Sequence, residues 1–104
     1  MNLPNTFTIN SQKVTIKLVD VLPDEKFGEY DCVRECISIA KNVVYNGEKI
    51  PLTTEQIINT FWHEVLHAFQ WHSSGDLSET ESNTYAGYLT ELTKSTNLID
   101  YFDE

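Results

Sequence analysis

Cations are scarce in this 104-residue sequence: seven Lys and Arg face sixteen Asp and Glu, a formal net charge of −9 with His neutral. That imbalance argues against a nucleic-acid partner, because such interfaces draw their affinity from cations that replace the counterions of phosphate. Long apolar runs are missing too. None approaches the roughly 18 to 20 residues that span a bilayer, and Met1 to Gln12 lacks a basic start followed by an apolar stretch, so no membrane association and a cytoplasmic location are expected. There are only two cysteines, Cys32 and Cys36. Their α-carbons would lie ~13 Å apart in an extended segment, too far to bridge, which excludes a disulfide scaffold. With 40% hydrophobic, 12% aromatic and 22% charged residues the composition is ordinary for a globular chain. A chain of this length buries roughly two-thirds of its unfolded surface, enough for a single domain over residues 1–104.

Strand-like patterning fills the first part, 1–45. Residues alternate from Thr6 to Asp20, with Phe7 and Ile9, then Val14, Ile16 and Leu18, on either side of the polar Asn10-Ser11-Gln12. This predicts a hairpin. Gly28 to Asp31 reads as a short strand and Arg34 to Lys41 as a third main strand, with Ile37 and Ile39 on one face. Asn46-Gly47 is a turn signal, and Pro51 blocks continuation of any strand, so the β part is expected to end there. The period then changes. Thr53-Thr54-Glu55-Gln56 is a capping-box start, and neither Gly nor Pro follows before Gly75, which predicts a helix over 53–74. Ser78-Glu79-Thr80-Glu81 repeats the pattern and opens a second helix, 78–96, with Tyr85, Tyr88, Leu89 and Leu92 at helical spacing. The tail, 97–104, fits neither pattern. The expected fold is α+β, about three strands in a short sheet packed on two long helices.

The first helix contains His63-Glu64-Val65-Leu66-His67, an H-E-x-x-H pattern. Residues four apart lie one turn above each other, so both imidazoles can meet one ion, and Zn2+ is the expected cofactor. Glu64 follows His63 by ~100° around the axis, outside the ligand set but near a water bound there, where it can act as a base. On the helical wheel Ile57, Ile58, Phe61, Trp62, Val65, Leu66 and Phe69 fill one half-circle. His63 and His67 fall on the other. A catalytic zinc needs a third protein ligand, for which His72, Asp76, Glu79 and Glu81 are candidates. His72 lies roughly 140° or more from the pair and reads as a packed, hydrogen-bonded residue. Asp76 sits in a turn where acids are common. Glu79 and Glu81 open a helix that must fold back after a short turn, so either can face the ion.

His63-Glu64-Val65-Leu66-His67 followed by Glu81-Ser82-Asn83-Thr84-Tyr85-Ala86 resembles the ImmA/IrrE-like zinc metallopeptidases and the related short, gluzincin-like proteins of phages and prophages. That family shows H-E-x-x-H on one helix and E-x-N-x-(Phe/Tyr)-A at the start of the next. The resemblance spans about residues 6–96, and it implies that Glu81 is the third zinc ligand. Against this stands the capping box, in which Glu81 occupies the third position after Ser78 and bonds back to its own helix.

The expected activity is zinc-assisted hydrolysis of a peptide bond in a peptide or protein substrate, with His63, His67 and Glu81 as ligands and Glu64 as general base. The strand Cys36 to Ala40 is the expected edge for pairing with an extended peptide, and Tyr85 or His72 could donate to the oxyanion. Tyr85 reads more simply as packing between the helices, and Trp62, Phe69 and Trp71 as core and rim. An acidic domain favours basic peptides. The alternative is a catalytically weak or inactive protein of the same fold, acting as a phage or prophage regulatory binding module.

Overall fold

The computed structural model describes residues 3–73 and 78–96, so Gly75, Asp76 and the tail 97–104 lie outside the described residues. Strands β1 (Thr6–Ile9) and β2 (Gln12–Val19) form the expected hairpin. Its turn residues Asn10 and Ser11 both have positive φ, 49° and 66°. Such turns match the right-handed twist of the strands they join. A short 3-10 turn at Pro23–Glu25 leads to β3 (Gly28–Asp31), which pairs antiparallel with β4 (Cys36–Ala40). β4 also pairs with β2, in parallel, giving a mixed sheet of order β1-β2-β4-β3. The sheet therefore has four strands, against the three expected, because the short Gly28–Asp31 segment is a full member.

β4 is an interior strand, with backbone partners in both β2 and β3. It cannot be the edge that receives a peptide, as its sequence suggested; on that side of the sheet the free edge belongs to β3. The β part also continues past residue 45. β5 (Asn42–Tyr45) and β6 (Glu48–Pro51) form a separate two-stranded ribbon around Asn46-Gly47, both residues at positive φ. Pro51 is tolerated because it is the last residue of an outer strand, opposite Asn42, where no further ladder N–H is required. Cys32 lies in the β3–β4 turn and Cys36 begins β4, so the segment between them is folded back rather than extended. Both thiols are free.

Helix α1 (Thr54–Ser73) starts at the predicted capping box: the Thr53 N–H donates to Gln56 Oε1 at 2.8 Å, and the Gln56 N–H to Thr53 Oγ1 at 3.1 Å. Its Ile57, Ile58, Phe61 and Val65 meet Val14, Ile16, Ile37 and Ile39 on one sheet face, and this is the core. Each such side chain contributes roughly 1.5–3 kcal/mol by leaving water, so the core fixes α1 independently of any site on its other face. Phe69, placed in the core arc by the wheel, is 45% exposed. A 20-residue helix is about 30 Å long and outruns a five-residue strand of about 17 Å, which leaves its last turns without sheet to cover them.

Helix α2 (Glu79–Lys94) lies against α1 through Ser82, Ala86, Thr90 and Thr93, all buried. Asn59 donates to Thr90 Oγ1 at 3.2 Å and Trp62 Nε1 to Thr93 Oγ1 at 3.0 Å. Tyr85, Tyr88 and Leu92 are exposed instead, so Tyr85 does not pack the helices together. Small residues took the interface, and of the bulky apolar set only Leu89 is partly covered. The architecture is α+β, and no helix among the described residues is long and apolar enough to cross a membrane.

Candidate metal centre

His63 and His67 leave α1 on the side away from the sheet core, half-buried, with their Nε2 atoms 2.9 Å apart. Glu79, the first residue of α2, completes the group: its Oε2 is 3.5 Å from His63 Nε2 and its Oε1 3.3 Å from His67 Nε2. The donor atoms of these three residues all lie within 4.8 Å of one another. Tetrahedral zinc with bonds of about 2.0–2.1 Å holds its ligand atoms about 3.3 Å apart, so the set fits once the two imidazoles open by a few tenths of an ångström. Burial lowers the pKa of His63, and the charge of His67 lowers it further, partly countered by Glu79. His63 is thereby kept neutral, the form that binds a metal.

Glu81, the ligand implied by the family resemblance, is engaged elsewhere. The Glu81 N–H donates to Ser78 Oγ at 3.1 Å, while Ser78 Oγ and the Ser78 N–H donate to Glu81 Oε1 at 3.1 and 3.4 Å. This is the capping box foreseen from the sequence. In this structure the third helical residue reaches back to its own cap, whereas Glu79 at the first reaches α1. The Ser-x-x-Glu pattern accounts for the local partner of Glu81.

Glu64 is buried, 7% exposed, beneath β3. Burial above all, then the charges of Glu79 and Glu29, raise its pKa from 4.5 to about 7, with Lys26 opposing. A carboxylate poised there is matched to proton transfer at neutral pH. Its packing depends on Gly28, which no local pattern marks as part of the site. A Cβ on Gly28 would lie 2.5 Å from Thr60 Cγ2, 3.2 Å from Glu64 Cγ and 3.3 Å from Glu64 Oε2. Thr60 cannot turn aside, because its hydroxyl donates to the Gln56 carbonyl at 2.7 Å. Gly28→Ala is therefore expected to lift β3 from α1 and destabilise the protein by about 1–3 kcal/mol. Thr60→Ser removes the clashing methyl and should recover most of that loss; a double-mutant cycle in urea unfolding measures the coupling.

His72 is packed and hydrogen-bonded, as expected, with Nε2 2.9 Å from Glu35 Oε2 and 3.5 Å from the Tyr30 hydroxyl. Tyr30 also donates to both Glu35 oxygens at 3.0 Å, and burial followed by the Glu35 contact raises its pKa strongly. These contacts tie the end of α1 to the β3–β4 turn. They leave His72 engaged away from the His63, His67 and Glu79 group. Trp71 is 61% exposed, and Asp76 lies outside the described residues. Comparison of the chain with protein-family models, with curated proteins and with solved structures finds no match.

Proposed function

We propose that the chain is a zinc-dependent peptidase of zincin-like design, with His63, His67 and Glu79 holding the ion and Glu64 acting as general base. One observation carries this reading: two imidazole nitrogens and a carboxylate from separate elements converge beside a buried glutamate whose pKa is raised to about 7. A bound zinc ion would supply Lewis acidity, lowering the pKa of water and polarising the scissile carbonyl. Glu64 takes the proton from the attacking water on a carboxylate oxygen and delivers it to the nitrogen of the leaving amine. The free edge of β3 offers backbone N–H and C=O groups to an extended peptide, which fixes the peptide's orientation across the face of α1. The likeness of the H-E-x-x-H helix to that of the ImmA/IrrE-like peptidases supports the peptidase reading, while the second motif of that family implies Glu81 in the place of Glu79.

The test is direct. Purified protein stripped with a chelator and reloaded with one equivalent of zinc is offered a broad peptide mixture, and products are read by mass spectrometry. Cleavage that needs the ion is expected. A chelator-insensitive activity would contradict the proposal. The exposed stripe of Tyr85, Tyr88 and Leu92 on α2 favours a second reading, a binding module of the same fold. Stoichiometric zinc uptake with no cleavage of any peptide would select it.

A further inference from the structure

A cavity of about 290 Å3 opens one helical turn before the His63-Glu64 pair, lined by Phe27, Thr53, Glu55, Gln56, Asn59 and Thr60. We infer that this cavity is a specificity pocket for a basic side chain, Arg or Lys, of the peptide substrate. The inference rests on the peptidase reading for its role, though not for its chemistry. Asn59 and Thr60 precede His63 and Glu64 by four residues on the same helix, and Phe27 precedes the Gly28 that packs on Glu64. A peptide lying along β3 past Glu64 therefore has the cavity beside it.

The polar groups of the lining favour a cationic head. Asn59 uses its amide N–H on Thr90, and Thr60 uses its hydroxyl proton on the Gln56 carbonyl. What these two still offer is the oxygens of both side chains and the second amide N–H of Asn59. Glu55 adds a carboxylate, while Gln56 contributes its amide NH2 group, its oxygen being taken by the Thr53 N–H. Phe27, 38% exposed, provides a face along which the methylenes of a long basic side chain can lie. The one charged residue of the lining, Glu55, is acidic, and the chain as a whole carries a net charge of −9. A cation already visits the rim, since Lys94 Nζ stands 3.2 Å from Glu55 Oε2. That pair is exposed on both sides and held weakly in water, so a substrate cation can displace it.

Occupancy is tested without hydrolysis. Two-dimensional NMR of the full chain, followed at the side-chain amides of Gln56 and Asn59, is recorded with N-acetyl-arginine amide and with the uncharged N-acetyl-norleucine amide. Saturable shifts with the arginine compound only are expected, weakened at least fivefold by Glu55→Gln and strengthened by Lys94→Met. Equal response to both compounds, or none to arginine, overturns the assignment whatever the protein's activity. On the zinc-loaded protein, cleaved peptides should carry Arg or Lys at one fixed position from the scissile bond. Glu55→Gln should raise KM for them about tenfold and leave kcat unchanged. Cleavage with no basic preference also overturns the pocket while leaving the peptidase reading intact; arginine binding with no cleavage does the reverse.

Discussion

Replacing Glu64 with Gln is expected to yield a protein that hydrolyses about a hundred- to ten-thousandfold more slowly and yet is more stable in the absence of metal. The stability gain follows from the raised pKa. An unfolded Glu titrates near 4.5, whereas buried Glu64 titrates at about 7. Below the lower value the carboxyl is protonated in both states and its burial carries no ionisation penalty. Between the two values the unfolded chain ionises first, so the fold loses stability as pH rises, and above about 7 the full penalty applies. By linkage this amounts to about 3 kcal/mol, a shift on the order of 10 °C in Tm for a domain of this size. Glutamine fills the same space without a charge and removes the loss. His63 contributes with the opposite sign, since its lowered pKa adds stability above its ordinary value and withdraws it as pH falls. That contribution is common to parent and variant and largely cancels in their difference. Unfolding in chelator at pH 5 and pH 8 measures the effect: the variant should gain at pH 8 and little at pH 5. Parallel pH profiles for the two proteins would show that Glu64 is not buried as a charge.

The second large effect concerns the third ligand. Glu79→Gln should weaken zinc binding by at least about a hundredfold, since even partners that only orient a metal's ligands are worth 10- to 100-fold in affinity. Glu81→Gln is the decisive companion, because glutamine at the third helical position preserves the capping box and so isolates any role in ligation. Its zinc affinity should equal the parent's in a competition titration against a chromophoric chelator. Loss at Glu81 with retention at Glu79 would mean that the capping box opens on metal binding and that the ligand implied by the family resemblance is correct.

The parts of the site that the sequence disclosed are those set by local periodicity. The i, i+4 spacing of His63 and His67 needs only a helix, and the capping box at Thr53 and Gln56 announces one. The choice between Glu79 and Glu81 depends on how α2 returns against α1, which spacing does not specify, though the local partner of Glu81 was readable in Ser78. Gly28 was hidden for a different reason: its importance lies in a close approach between β3 and α1, far apart in the chain. Tyr85 misled because its helical spacing was read as packing between the helices, whereas Ser82, Ala86, Thr90 and Thr93 occupy that interface. Pro51, by contrast, marked the end of the β part, since β6 stops there and α1 follows.

X-ray absorption spectroscopy of the full chain loaded with zinc tests the central claim most directly. One ion per chain is predicted, with two imidazole nitrogens at about 2.0–2.1 Å and carboxylate oxygen in its shell, and with the imidazole signal reduced by half in His63→Ala. A shell of oxygens alone, or a signal unchanged by loss of His63, would contradict it.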